Sequence, residues 1–229
     1  MHDAITERIE FINSTLVPYN PKIVAVTKYS DESLILDYYK AGFRDFGENR
    51  VQVALEKINK LPEEVRKNSR FHLIGHLQTN KVKDAVGVFY MIHSVDSLKL
   101  ARAISKEAEK KGLEQKILLQ VNNAHEEQKF GFDTEELLGC MEELLSLPSL
   151  KIEGLMNIAP LSQDEDYLRN LFKNIKTLKD KLELDYKVKL NELSMGMSND
   201  YLIAVQEGST MIRLGRILLN KNNTMGGTQ

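Results

Sequence analysis

Short apolar runs alternate with longer amphipathic ones along the whole chain. Eight runs read as strands: Ile23–Thr27, Asp45–Gly47, Phe71–Gly75, Phe89–Ile92, Ile117–Val121, Ile152–Ile158, Leu190–Leu193 and Met211–Leu214. Several are apolar at every position, as strands buried on both faces must be. Helical spacing fills the gaps. Ser33–Ala41 sets Leu34, Ile35, Tyr38 and Tyr39 on one side, starts near Ser30 and stops at Gly42. Leu98–Lys111 places Leu98, Ala101, Ile104 and Ala108 on one stripe and ends at Gly112. Thr134–Leu147 and Tyr167–Leu182 repeat the pattern, and Ile5–Leu16 adds a helix ahead of the first strand.

Unbroken strand–helix alternation implies a parallel sheet, either open or closed. An open dinucleotide-binding sheet would carry G-x-G-x-x-G after its first strand. Here that strand ends in Val26-Thr27-Lys28-Tyr29, with no glycine nearby. Eight strands in 229 residues leave about 29 residues per unit, which predicts a closed barrel. The expected fold class is therefore α/β: a single (β/α)8 TIM-type barrel with an extra N-terminal helix. It spans residues 1–220, and 221–229 read as a frayed tail. No linker-like tract divides the chain.

Composition narrows the function. Hydrophobic residues make up 42%, enough for a large core. Thirty-one basic residues against 33 acidic ones give a net charge of −2, which offers no footprint for nucleic acid or an anionic membrane. The single cysteine, Cys140, excludes an internal disulfide framework and points to a reducing cytoplasm. No apolar run is long enough for a membrane span, and the N-terminus lacks a signal pattern. Phosphate-loop, nucleophile-elbow and H-E-x-x-H signatures are all missing.

Barrels carry their chemistry at the C-terminal ends of the strands. Lys28 closes the first run and places an amine at the mouth. It reads either as a Schiff-base nucleophile or as an ordinary solvated lysine. Gly47-Glu48-Asn49 closes the second, as a ligand contact or as a turn with a helix cap. His72 and His76 flank Gly75 without a third ligand at metal spacing, so no metal site is expected. Ser198 and Asn199 stand where a helix begins, a position that suits either a phosphate or simple capping. Arg213 lies on an apolar strand and needs a partner, and Gly215 follows it. The loops after strands seven and eight often bind phosphate in barrels, so a phosphorylated ligand is expected.

Taken together, the segments resemble the YggS family of pyridoxal-phosphate-binding proteins, also called PLP homeostasis proteins. That family is built like the N-terminal barrel of bacterial alanine racemase. The matching pieces are Ala25-Val26-Thr27-Lys28, Ala41 through Asn49, His72 through Lys81, His93-Ser94-Val95-Asp96-Ser97, and Gln120-Val121-Asn122 with Glu126, Lys129 and Gly131. Gly154-Leu155-Met156, Leu193 through Asp200, and Gly208 through Gly215 complete the set. They occur in family order and cover essentially the whole chain. Departures lie at Arg216-Ile217-Leu218-Leu219-Asn220, at Asn123-Ala124-His125, around Lys129 and at Met211.

The resemblance implies that pyridoxal 5′-phosphate is the cofactor and that Lys28 forms the Schiff base with it. It implies that Ser198, Gly215 and Arg216 hold the phosphate, that Arg213 faces the pyridine nitrogen, and that Asn49 and Met156 line the ring. It further implies a role in cofactor homeostasis and in amino-acid and keto-acid balance. PLP-dependent apo-enzymes would be the partners, and the chain would be a monomer. An arginine keeps its proton, so it leaves the ring nitrogen unprotonated and weakens the ring as an electron sink. Alanine racemase adds a second domain with a catalytic tyrosine, whereas fourteen residues follow Gly215 here, so no catalytic turnover is expected. The alternatives are a single-domain racemase and a phosphosugar barrel that uses Lys28 on its substrate.

Overall fold

The structure is a computed structural model, and it describes residues 2–124 and 130–219. Helix α1 (His2–Leu16) precedes strand β1 (Lys22–Val26), and the units that follow are α2 (Glu32–Lys40), β2 (Asp45–Glu48), α3 (Val51–Lys60), α4 (Glu63–Lys67) and β3 (Arg70–Leu73). After a 3-10 turn come α5 (Val82–Ala85), β4 (Met91–Val95), α6 (Leu98–Lys110), β5 (Gln115–Val121) and α7 (Thr134–Ser146). The chain then forms β6 (Leu150–Asn157), α8 (Glu165–Tyr186), β7 (Glu192–Met197), α9 (Tyr201–Gln206), β8 (Met211–Leu214) and α10 (Arg216–Leu219). The strands close in chain order into one barrel, every pair parallel. Closure brings β8 beside β1, with Val24 opposite Arg213. The expected (β/α)8 class and the extra N-terminal helix are both present.

Strand alternation divides the core in two. One face of the strands joins the helices in a large apolar layer that includes Ala25, Phe46, Phe71, Ile104 and Phe172. A separate small cluster, Val24, Met91, Leu118, Met156 and Met211, draws one residue from each of five strands and none from a helix. It therefore fills the barrel interior. Carboxylate and hydroxyl caps start the helices: Asp31 takes the Ser33 N–H at 3.0 Å for α2, and Asp164 takes the Tyr167 N–H at 3.0 Å for α8. The first cap is Asp31, one residue beyond the expected Ser30.

Two strands are displaced from their expected places. β4 starts at Met91 and runs through His93 and Ser94, while Phe89 is buried in the preceding turn. β7 starts at Glu192 and runs to Met197, while Leu190 is buried ahead of it. In each case a polar residue, His93 in β4 and Ser194 in β7, continues the strand because it finds partners in the interior. Hydropathy alone follows the apolar run instead. α8 also extends to Tyr186, past the expected Leu182. Among the described residues no helix is long and apolar enough to cross a membrane. The expected tail at 221–229, with Asn220, His125, Glu126, Gln128 and Lys129, lies outside the described residues.

Candidate functional site

Parallel closure puts every strand's C-terminal end at one mouth. Lys28 lies two residues past β1, Asn49 one past β2, Ser198 one past β7, and Gly215 and Arg216 directly after β8. Met156 and Arg213 belong to β6 and β8 themselves and are buried. All seven residues singled out from the sequence thus belong to the mouth or the interior below it.

Lys28 is half-buried, its ammonium 4.9 Å from the Tyr29 ring centroid. Its backbone is braced from behind. Thr27 donates its hydroxyl to Glu48 Oε1 at 2.6 Å, and Lys57 of α3 donates to the same oxygen and to the Thr27 carbonyl, each at 2.8 Å. Glu48 and Lys57 are both buried, so the pair ties β1, β2 and α3 together next to Lys28. Asn49 is held by close approach: a Cβ on Gly75 would meet the Asn49 carbonyl oxygen at 2.3 Å.

Arg213 is buried and takes no carboxylate contact among the described residues. Its Nη1 donates to the Ser194 carbonyl at 2.6 Å and to Ser194 Oγ at 2.7 Å, and Nη2 donates to the Asn157 carbonyl at 2.7 Å. Burial lowers its pKa to about 10, with Asp200 acting in the opposite sense, so the guanidinium stays charged at neutral pH. Asp200 is pushed up by its own burial, although Arg213 and the Met197 N–H, 2.5 Å from Oδ1, favour its charged form. Asp200, not Ser198, occupies the N-cap position of α9. Ser198 turns instead toward α10, where the Ile217 N–H reaches its Oγ at 3.4 Å. The Ser198 hydroxyl therefore meets the start of α10 beside Gly215, whose carbonyl accepts from the Leu218 N–H at 2.9 Å.

Below the mouth runs a polar chain that the sequence did not reveal. His72 and His93 are fully buried. His72 Nε2 lies 2.9 Å from Asp45 Oδ1, His72 Nδ1 lies 2.9 Å from His93 Nε2, and His93 Nδ1 lies 3.0 Å from Ser194 Oγ. His76, which the sequence paired with His72, stands apart at the mouth, stacked on Phe130 and 2.9 Å from Asp96. Among the described residues no group of three or more metal-binding side chains forms. An acid inside a short strand, as at Asp45 and Glu48, was the available signal, because a buried carboxylate requires a partner.

The buried histidines make stability depend on pH. Burial lowers both imidazole pKa values; Asp45 opposes this at His72, while His72 and Arg213 reinforce it at His93. The unfolded chain then binds protons that the folded one refuses, so stability is complete above the ordinary histidine value and lost below it. Asp45 adds to this at lower pH: burial raises it, but His72 and Arg70 outweigh that and hold it below the usual carboxylate range. The unfolding free energy from urea titrations is expected to stay level down to about pH 6.5 and then fall, the slope approaching about 2.7 kcal/mol per pH unit for two groups. A level profile from about pH 7 to about pH 5 would contradict this reading of the pair.

A closed parallel barrel with an amine after its first strand and a buried guanidinium on its eighth defines a class, the alanine-racemase-type barrel. The family model described as "Alanine racemase, N-terminal domain" matches residues 2–222. The pyridoxal phosphate homeostasis protein of Aquifex aeolicus is 38% identical over 200 residues, which covers 87% of this chain and 86% of that one. The protein of the same name from Synechocystis is 41% identical over 202 residues, covering 88% and 92%. The structure of PipY from Synechococcus elongatus with PLP bound superimposes with a TM-score of 0.85 at 38% identity, over 94% of this chain and all of that one. Alanine racemase of Clostridium difficile shares the fold, with a TM-score of 0.77 at 20% identity over 94% of this chain and 56% of that one. The chain belongs to the pyridoxal phosphate homeostasis protein family.

Proposed function

We propose that this chain binds pyridoxal 5′-phosphate, holds it covalently and reversibly at Lys28, and serves as a cytoplasmic, monomeric carrier or regulator of the cofactor without turning over amino acids. The observation that carries the reading is Arg213, a buried cation with no carboxylate contact among the described residues, on the strand beside the one that Lys28 follows. The donor set fits the group. Arg213 spends three of its five N–H donors on described partners, leaving two for a ring nitrogen. Asn157 Oδ1 is buried with no hydrogen-bond partner among the described residues. A Cβ on Gly215 would crowd Val26 at 3.3 Å, so the glycine keeps the backbone open.

When bound, the cofactor supplies an aldehyde that condenses with an amine and a conjugated ring that can withdraw electrons. Lys28 supplies the amine. Ser198, with the backbone N–H groups of Gly215 and Arg216, holds the phosphate, as a helix start does for anions. Asn49 and Met156 border the ring. Arg213 cannot hand its proton to the ring nitrogen, so the residues present favour holding the cofactor over stabilising a carbanion. The relatives' names agree, since they are called homeostasis proteins and not racemases. PLP-dependent apo-enzymes would receive the cofactor.

Titration of the apo-protein with the cofactor, followed by absorbance, tests the reading. The wild-type chain is expected to develop a visible band that Lys28→Ala lacks. L-Alanine incubated with the loaded protein is expected to yield no D-alanine above the Lys28→Ala background. Equal bands in both proteins, or turnover that Lys28→Ala abolishes, would overturn it.

A further inference from the structure

Arg213 poses a physical problem. It is a buried cation whose direct partners among the described residues are two carbonyls and a hydroxyl, and Asp200, which favours its charge, makes no hydrogen bond to it there. A buried charge without a partner is costly. The compensation reaches it through hydrogen bonds that cross the barrel interior.

We propose that Asp45, His72, His93 and Ser194 form a one-directional hydrogen-bond relay across the barrel interior that fixes and polarises the Arg213 guanidinium, with His93 as its central positioning residue. The direction follows from chemistry at each link. Arg70 grips Asp45 through Nε at 2.8 Å and Nη2 at 2.5 Å, so the carboxylate is ionised and can only accept. His72 Nε2 must therefore donate to it. A neutral His72 then presents a bare Nδ1, so His93 Nε2 must donate at 2.9 Å. A neutral His93 presents a bare Nδ1, so the Ser194 hydroxyl must donate at 3.0 Å. Ser194 Oγ is left to accept from Arg213 at 2.7 Å.

Every dipole in the series turns its negative end toward Arg213 and its positive end toward Asp45. Such chains strengthen link by link in a low-dielectric interior. The relay thus brings the influence of a carboxylate on β2 to a cation on β8 without placing an acid beside the pyridine nitrogen. It also locks Ser194, which orients Nη1, so the remaining guanidinium donors are held in one place. Neutral imidazoles are required throughout. A proton added at His72 would force His93 and Ser194 to reverse. Burial, Arg70 and Lys22 oppose a second proton on His72, although Asp45 favours it, and burial, His72, Arg213 and Lys22 oppose one on His93.

The inference rests on Arg213 facing the ring nitrogen, and the test separates the two claims. Long-range proton–nitrogen NMR on the apo-protein reads the relay alone. Both histidines are expected to be neutral at pH 7, with Nε2 protonated and Nδ1 bare. A protonated imidazole, or an Nδ1 proton on either ring, would overturn the relay whatever the cofactor does. Cofactor titrations then read the consequence. His93→Leu is expected to weaken pyridoxal phosphate binding about tenfold or more, the size of one hydrogen bond to a charged group, and to shift the absorption band of the bound cofactor. His93→Gln, which keeps one donor and one acceptor, is expected to recover most of the affinity and the wild-type band. Ser194→Ala cuts the relay at the hydroxyl without opening a large cavity and is expected to show the same loss, which keeps the test decisive if His93→Leu does not fold. Wild-type affinity and spectrum in both His93→Leu and Ser194→Ala would overturn the inference, whereas failure of the wild-type chain to bind the cofactor would overturn the proposed function and leave the NMR result standing.

Discussion

Lys57→Met is expected to destabilise the chain by about 3–5 kcal/mol, measured as a fall in the urea unfolding midpoint. The side chains of Lys57 and Glu48 are only 8% and 1% exposed, and their contact is 2.8 Å. Methionine fills the space of the stem but strands an ionised carboxylate. Glu48 Oε2 already lacks a hydrogen-bond partner among the described residues, so Glu48 has little capacity to adapt. The Thr27 carbonyl loses its donor as well, one residue from Lys28. Cofactor binding should therefore weaken together with stability. Adding Glu48→Leu removes the stranded charge and is expected to restore much of the loss, because a well-packed apolar pair substitutes for a buried ion pair at little cost. A Lys57→Met variant within about 1 kcal/mol of wild type would show that the pair is hydrated and worth no more than a surface bridge.

Gly154→Ala is expected to be at least as damaging. A Cβ at this position would lie 1.8 Å from the Glu192 carbonyl oxygen and 2.7 Å from its carbon, both backbone atoms. Neither atom can swing aside, so β6 and β7 must separate. The β5–β6 register shifts between Ile117 and Leu118, so that Leu118 pairs with Gly154. Gly154 also pairs directly with Glu192 across the β6–β7 boundary. Overpacking costs about 1–3 kcal/mol where side chains can yield, and more is expected where only backbone can. Gly139→Ala, whose Cβ would meet nothing within 4 Å, serves as the control and should fold normally. Near-wild-type stability of Gly154→Ala would contradict the strand packing described here.

These two sites also mark where the sequence stops being legible. The barrel could be read because buried parallel strands are apolar throughout and amphipathic helices repeat at 3.6 residues. Lys28, Ser198 and Gly215 could be placed at the mouth because they stand at strand ends, but spacing alone left their roles open and the family resemblance supplied them. Lys57 could not be, since a lysine on an amphipathic helix normally points to solvent. Only the fold turns it inward onto Glu48. The His72–His93 pair was invisible for a related reason. The two residues are 21 positions apart and meet only because β3 and β4 are neighbours whose interior positions face each other. His76, four residues from His72, was the tempting partner in one dimension and is the wrong one in three. The end of β7 was misplaced because Ser194 and Gly196 lack hydropathy, although Ser194 is the link between Arg213 and the histidines.

The central claim is that Lys28 takes the cofactor. The most direct test incubates the purified protein with pyridoxal 5′-phosphate, reduces the adduct with borohydride, digests the chain and locates the modified lysine by mass spectrometry. The expected result is a single phosphopyridoxyl group on Lys28. Modification of other lysines with Lys28 bare, or no modification at all, would contradict it.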